Sequence, residues 1–133
     1  MIIVWHLNMT SIVDPMVVAY IRNNSFEKRK AVVQEILQKY PDRIPVIVGR
    51  ADLNRAPVIA KCKYLAHRNT TFGKFCVEIR KNIPSLPAQS TLFFFVGNGS
   101  LPTNSVLMET LYCQHGNKDG FLYITYTCEN AFG

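Results

Sequence analysis

The segment KYPDRIPVIV, residues 39–48, joins the end of a helix to the start of a buried strand. Ser25 is a suitable N-cap for that helix, and apolar residues recur at helical spacing from Val33 to Tyr40. Pro41 ends the helix because proline cannot continue the hydrogen-bond ladder. Residues 43–48 are mostly apolar, both at the odd-numbered positions and at the even-numbered positions, which face opposite sides of a strand. This pattern predicts a strand buried on both faces, with Pro45 at an edge or an irregularity of the sheet.

Downstream of this segment, short apolar runs alternate with amphipathic stretches. The clearest amphipathic helix begins after Thr71, a candidate N-cap, keeps apolar residues at helical spacing from Phe72 to Ile83, and ends at Pro84. A further helix is ended by Gly116. The predicted elements after the first strand are, in order, a strand at 62–66, a helix at 71–83, a strand at 91–96, a helix at 104–115 and a strand at 121–126.

Upstream of the first helix, two apolar blocks at residues 1–5 and 16–21 are separated by polar residues. Neither block is long enough to cross a bilayer, which takes about 20 apolar residues, and the basic start of a signal peptide is missing. We interpret residues 1–24 as an N-terminal extension that is helical from Val17 onward. Its alternative roles are docking on the domain, insertion of Trp5 and its apolar neighbours into a membrane interface, and a passive tail.

The composition is that of a single globular domain, with 133 residues of which 48% are hydrophobic and 18% charged. Lys and Arg outnumber Asp and Glu by 15 to 9, which gives a net charge of +6. Part of the excess lies between Lys61 and Lys81, where Glu78 is the lone acid. We therefore predict a basic face that favours acidic partners, such as acidic peptides, phosphate-bearing membrane surfaces or nucleic acid.

The cysteines and histidines do not indicate a catalytic or metal centre. Four cysteines without a C-x-x-C pair are typical of free thiols in a reducing compartment. Cys113 and His115 are too few for a four-ligand structural zinc site. Neither His6 nor His67 has a neighbouring residue that would complete a nucleophile and base pair. The chain is predicted not to be an enzyme and to hold no metal or cofactor.

The sequence ends on Phe132 and Gly133, after an apolar strand and a polar tail. A terminal glycine has no side chain beside its carboxylate, so an enzyme can thread it through a narrow channel and activate it as an acyl group. The alternative is an ordinary glycine at a chain boundary, since glycine makes up roughly 7% of average sequences. We interpret residues 25–126 as one domain and residues 127–133 as a flexible tail that ends in a conjugation glycine.

Several segments occur in the order and with nearly the spacing of one protein family. They are FEKRK at 26–30, KYPDRIPVIV at 39–48, KYL at 63–65, IRK at 79–81, LFFFV at 92–96 and DGFLYI at 119–124. From about Tyr20 to Gly133 the chain resembles the autophagy ubiquitin-like modifiers, which include the GABA-receptor-associated protein and the microtubule-associated-protein light chain modifiers. The resemblance implies an α+β, ubiquitin-like β-grasp fold with a four-stranded mixed sheet, packed helices and an additional N-terminal helical region.

The resemblance also implies a function in autophagy. Such modifiers end in an aromatic-glycine pair, here Phe132 and Gly133, and the glycine is joined to the amine of phosphatidylethanolamine. The implied partners are activating-like and conjugating-like enzymes, phosphatidylethanolamine membranes, and a processing and delipidating cysteine protease that recognises Phe132. The implied location is the cytoplasm, and the autophagosome membrane once the lipid is attached, where two acyl chains anchor the protein.

A second implied function is capture of extended cargo-receptor peptides of the form aromatic-x-x-aliphatic, which add a strand to a sheet edge and fill two pockets. The first pocket is implied to comprise Ile36, Pro45, Ile47, Lys63, Leu65 and Phe121. The second pocket is implied to comprise Tyr64, Ala66, His67, Thr70, Phe75 and Glu78. The family usually has valine, proline, leucine and leucine at the positions of Ala66, His67, Thr70 and Glu78. The second pocket is therefore predicted to be shallower and wetter, while Val32 replaces a frequent acid beside the first.

Three classes of function are open from the sequence. A lipid-conjugated autophagy modifier is the leading hypothesis. The alternative is a divergent, non-conjugated paralogue that acts as a peptide-binding adaptor in vesicle trafficking, which the changed second pocket favours. A nucleic-acid or cytoskeletal binder has only the positive charge in its support, and no nucleic-acid partner is expected.

Overall fold

The computed structural model describes residues 13–53, 55–97 and 99–130. Within these ranges the chain forms four helices and four strands in the predicted order. The helices are α1 (Pro15–Asn23), α2 (Phe26–Lys39), α3 (Phe72–Arg80) and α4 (Met108–His115). The strands are β1 (Arg43–Arg50), β2 (Lys63–His67), β3 (Ser90–Val96) and β4 (Leu122–Asn130).

The strands form one mixed sheet in the order β2-β1-β4-β3. The central strands β1 and β4 are parallel, with Val46 opposite Leu122, and both outer pairs are antiparallel. Pro45 comes just before Val46, the first residue of β1 that pairs with β4. Its missing N–H therefore falls where the parallel ladder has not begun. The predicted α+β fold with a four-stranded mixed sheet is confirmed.

Helices cover both faces of the sheet, which explains why the residues of β1 that face either side are apolar. Ile44, Val46 and Val48 belong to the larger core cluster, together with residues of α3 and α4 such as Phe75 and Leu111. Ile47 belongs to a second cluster that contains side chains of α1 and α2. The prediction of a strand buried on both faces is therefore confirmed.

Both predicted N-caps are confirmed, but the start of α4 differs from the prediction. The Ser25 hydroxyl accepts the Lys28 N–H at 3.2 Å and the Thr71 hydroxyl accepts the Lys74 N–H at 3.3 Å. The predicted helix at 104–115 begins only at Met108. The backbone carbonyls of Asn104 and Val106 instead accept hydrogen bonds from N–H groups at the start of α3. Residues 104–107 are therefore hydrogen-bonded to α3 and do not extend α4.

The last strand is longer than predicted. β4 continues past Tyr126 to Asn130, because β3 begins at Ser90 and offers a partner for each added residue. The predicted flexible tail at 127–133 is therefore wrong for residues 127–130, which belong to the sheet. Residues 131–133 lie outside the described part of the chain.

The first helix also differs from its prediction, since it begins at Pro15 and not at Val17. Asp14 is its N-cap and accepts the Met16 N–H at 3.2 Å, while Pro15 occupies the first turn, where its missing N–H costs nothing. Val17 is fully buried, so α1 docks on the domain. Residues 1–12, including Trp5, lie outside the described residues.

Candidate functional site

A cavity of about 480 Å³, here called the first cavity, opens where α1 and α2 meet the edge strand β2. Its lining residues are Tyr20, Val32, Ile36, Pro45, Val46, Lys61, Lys63, Tyr64, Leu65 and Phe121. Of the residues implied for the first pocket, the structure brings all but Ile47 together here. Ile47 is fully buried in the core cluster behind the cavity. Phe121 belongs to the same cluster.

Tyr20 forms one wall of this cavity, although it was not among the residues predicted for the first pocket. Its ring packs edge-on against Phe121, with ring centroids 6.0 Å apart, and the Lys63 ammonium lies 3.9 Å from its centroid. Such edge-to-face and cation–π contacts stabilise a defined ring position. Val17 and Tyr20 are three positions apart, so helical spacing would have placed both on one inward face of α1.

The rim of the first cavity is basic. Lys61 and Lys63 are the charged residues among its lining. The Lys61 ammonium lies 5.1 Å from the Tyr64 ring centroid, and the Tyr64 hydroxyl donates to the Lys61 carbonyl at 2.8 Å. Burial raises the pKa of Tyr64 to about 12, so the hydroxyl stays neutral at physiological pH. The site can therefore accept an apolar or aromatic side chain whose flank carries negative charge.

The first cavity adjoins an open edge of the sheet. β2 is an outer strand, and Leu65 is 39% exposed at its centre. An edge strand offers its backbone N–H and C=O groups to an added strand. The cavity and the edge together have the layout required for binding an extended peptide by strand addition.

The second-pocket residues lie on β2, on α3 and in the turn between them, and their contacts are partly apolar and partly polar. Tyr64 and Phe75 meet edge-on with centroids 6.1 Å apart, and Ala66 is buried in the larger core cluster. His67 Nε2 lies 3.5 Å from Asp42 Oδ2. At the far side, Glu78 Oε1 lies 3.3 Å from Lys81 Nζ, and the side chains of this pair are 60% and 67% exposed. Thr70 is half-buried.

A buried ion pair lies behind Phe121. Arg29 Nε donates to Asp119 Oδ2 at 2.9 Å, and these side chains are 3% and 0% exposed. The same carboxylate accepts the Phe121 N–H at 2.9 Å and the Tyr123 hydroxyl at 2.6 Å. Burial, and then the Asp119 charge, raise the pKa of Tyr123. The carboxylate thus fixes the backbone that presents Phe121 to the first cavity.

The turn before Phe121 depends on a glycine. Gly120 has φ of +94°, and a Cβ there would lie 2.5 Å from a Val33 methyl group. Its carbonyl accepts the Tyr112 hydroxyl at 2.6 Å. This close approach lets Asp119 reach Arg29 while Phe121 faces the cavity.

The described residues contain no group of three or more His, Cys, Asp or Glu side chains that could hold a metal ion. Within the same residues, no helix combines the length and apolarity needed to cross a membrane. The two residues implied for conjugation and enzyme recognition, Gly133 and Phe132, lie outside the described residues. The last described residue is Asn130, which pairs with Ser90.

A mixed four-stranded sheet with helices on both faces is the fold of the ubiquitin-like modifiers, and here an apolar cavity lies beside the outer strand β2. A family model described as "Autophagy protein Atg8 ubiquitin like" matches residues 28–133. The chain belongs to this Atg8 family, as the sequence resemblance predicted. It is an autophagy protein and a ubiquitin-like modifier, not an enzyme.

Relatives and solved structures agree with this assignment. The chain is 47% identical to Autophagy-related protein 8 of Mycosarcoma maydis over 115 residues, which are 86% of this chain and 96% of that protein. It is 50% identical to Autophagy-related protein 8e of Arabidopsis thaliana over 111 residues, 84% of this chain and 89% of that protein. Among solved structures, Plasmodium falciparum Atg8 in complex with a Plasmodium falciparum Atg3 peptide has a TM-score of 0.73 at 34% identity, covering 82% and 94% of the two chains. Trypanosoma brucei ATG8 has a TM-score of 0.72 at 31% identity, covering 86% and 97%.

Proposed function

We propose that this protein is conjugated through Gly133 to phosphatidylethanolamine on autophagosomal membranes and there recruits cargo receptors and adaptors. The observation that carries the recruiting function is the first cavity, with its basic rim, beside the open edge of β2. A receptor peptide of the form aromatic-x-x-aliphatic would add a strand to β2 and place its aromatic ring in that cavity. The protein would be cytoplasmic before conjugation and bound to the autophagosome membrane after it.

The proposed conjugation is a sequence of acyl transfers that other proteins catalyse. The Gly133 carboxylate attacks ATP to form an acyl adenylate and releases pyrophosphate. A cysteine of an activating-like enzyme displaces AMP to form a thioester, and a cysteine of a conjugating-like enzyme then takes over the acyl group and releases the first thiol. The ethanolamine amine displaces the last thiol to give an amide. The Plasmodium falciparum relative bound to an Atg3 peptide supports a partner of the conjugating kind. A cysteine protease would process and later delipidate the tail, with Phe132 as a recognition residue.

Conjugation is tested by mass spectrometry of membrane fractions from starved cells that express this chain. An adduct of phosphatidylethanolamine on the terminal glycine is the expected result. A chain end that is always free would leave the non-conjugated adaptor as the better description.

The second-pocket residues support a changed peptide preference. Burying one leucine side chain is worth about 1.5–3 kcal/mol, so its loss would weaken a standard motif by roughly ten- to a hundredfold. The replacements Thr70→Leu and Glu78→Leu, made together, are expected to tighten binding of an aromatic-x-x-leucine peptide by about the same factor. Titration calorimetry with this peptide measures the change.

The matched control is Glu129→Leu, since Glu129 is also exposed but lies near the end of β4, which β1 separates from β2. It should leave the affinity unchanged. A peptide whose last residue is small or polar should gain little from the double replacement. Equal gains for both peptides would show that added hydrophobicity, not a restored pocket, accounts for the effect.

A non-conjugated adaptor in vesicle trafficking is the second candidate, favoured by the polar contacts of His67 and Glu78. It shares the first cavity with the first candidate, so peptide binding cannot separate the two. Attachment to a lipid amine separates them.

A further inference from the structure

Asp14 is a buried carboxylate whose partners lie on a distant strand. It is 1% exposed, and its Oδ2 accepts two hydrogen bonds from Arg50. One comes from Nε at 2.8 Å and the other from the backbone N–H at 3.2 Å. Oδ1 accepts the Met16 N–H at the start of α1. The Val13 N–H donates to the Arg50 carbonyl at 3.2 Å. The residues before α1 are thus fastened to the end of β1 by an ion pair and by backbone hydrogen bonds.

The other end of α1 is held by the buried ion pair behind Phe121. Arg29 Nη1 donates to the Asn24 carbonyl at 2.6 Å and to the Ile21 carbonyl at 3.3 Å. These carbonyls end the helix and have no partner within it. A charged group therefore anchors each end of α1, which fixes both the position and the rotation of the helix.

The rotation of α1 determines one wall of the first cavity. Between the two anchors, Val17 is fully buried in the second core cluster and Tyr20 packs against Phe121. Tyr20 is only partly buried, so its own contacts hold it less firmly than the core holds Val17. If the start of α1 moved away from β1, the ring of Tyr20 would leave the wall and the Lys63 ammonium would lose its aromatic partner.

We propose that Asp14 is a positioning residue for the first cavity. By fastening α1 to Arg50, it holds Tyr20 where an incoming aromatic side chain would pack, and the affinity for that side chain depends on the fastening. The proposal rests on the proposed peptide-binding function. Asp14 precedes the region 28–133 that matches the family model.

The test compares Asp14→Asn, Tyr20→Ala and the double variant in binding a peptide that contains an aromatic-x-x-leucine motif. Asparagine remains a good N-cap, so Asp14→Asn removes the charge pair with Arg50 and spares the helix start. An edge-to-face ring contact contributes to affinity beyond burial alone, so each single change should weaken binding by about two- to tenfold. The double variant should bind no more weakly than Tyr20→Ala, because both changes remove the same wall.

Two outcomes would overturn the proposal. One is an Asp14→Asn affinity equal to that of the unaltered chain. The other is a further loss when Asp14→Asn is added to Tyr20→Ala, which would mean that Asp14 acts through general stability. Glu129→Gln is the control for removal of an acid elsewhere, since the Glu129 side chain is 59% exposed, and it should not change the affinity.

Amide hydrogen exchange separates this proposal from the proposed function. In Asp14→Asn, the amides of Tyr20 and Ile21 should exchange faster, while those of β4 keep their protection. Unchanged protection of α1 would refute the fastening whether or not a peptide binds. If the unaltered chain binds no peptide, the proposed function fails, and Asp14 no longer has a binding site to position.

Discussion

Replacing Asp119 with Asn is expected to lower the free energy of unfolding by about 3–5 kcal/mol, the cost of breaking a buried ion pair from one side. The amide has nearly the shape of the carboxylate but carries no charge, so the Arg29 guanidinium, 3% exposed, would stay in the interior without its counter-ion. The Tyr123 hydroxyl and the Phe121 N–H would also lose a charged acceptor. Urea unfolding followed by circular dichroism measures the change.

The control is Glu78→Gln, which removes the charge of an exposed pair with Lys81. Exposed pairs contribute about 0–1 kcal/mol, because water and salt screen them. Adding Arg29→Met to Asp119→Asn should recover part of the lost stability, since it removes the unpaired buried charge. If the free energy of unfolding of Asp119→Asn lies within about 1 kcal/mol of that of the unaltered chain, the ion pair does not hold this region together.

The elements that could be predicted are those whose signals are local. Ser25 and Thr71 mark helix starts because a short hydroxyl side chain can satisfy a free N–H group within its own turn. The run at 44–48 indicates a strand covered on both faces because none of its side chains is polar. The family resemblance then supplied the topology, which local patterns cannot give.

The features that were missed depend on partners distant in the chain. Arg29 looks like one more solvent-exposed charge on α2, and only the fold brings Asp119, 90 positions away, to within 2.9 Å of it. Asp14 likewise reads as a residue of a passive extension until Arg50 is placed beside it. The start of α4 and the end of β4 were predicted wrongly for the same reason. Carbonyls of residues 104–107 accept hydrogen bonds from α3, and β3 offers partners to residues 127–130 of β4.

The candidate site shows the same division. The resemblance named Ile36, Pro45, Lys63, Leu65 and Phe121, which the structure gathers around one cavity. It could not name Tyr20, because the position of this ring depends on how α1 docks. Ile47 alternates correctly for the same face of β1, but α1 covers that part of the face and leaves the residue in the core. That these residues bind a peptide stays a prediction.

Replacing Gly133 with Ala is expected to abolish conjugation in a reconstituted reaction with ATP, the activating and conjugating enzymes of an Atg8 relative, and liposomes that contain phosphatidylethanolamine. The added methyl group lies beside the carboxylate that must enter a narrow channel, and it also restricts the backbone angles open to the last residue. Peptide binding at the first cavity should be unchanged, because the cavity residues belong to α1, α2, β1 and β2 and the segments next to β2 and β4. A gel shift and mass spectrometry of the liposome fraction measure the conjugate.

Ala131→Gly is the matched control, because it also changes the tail by one methyl group but keeps the terminal glycine, and it should conjugate like the unaltered chain. An adduct on Gly133→Ala at the normal rate would contradict the need for glycine, and an adduct mapped to another residue would contradict the proposed attachment point. If the unaltered chain forms no adduct while the relative conjugates in the same reaction, the tail is not a substrate. The first cavity would then belong to an adaptor that binds peptides without being fixed to the membrane.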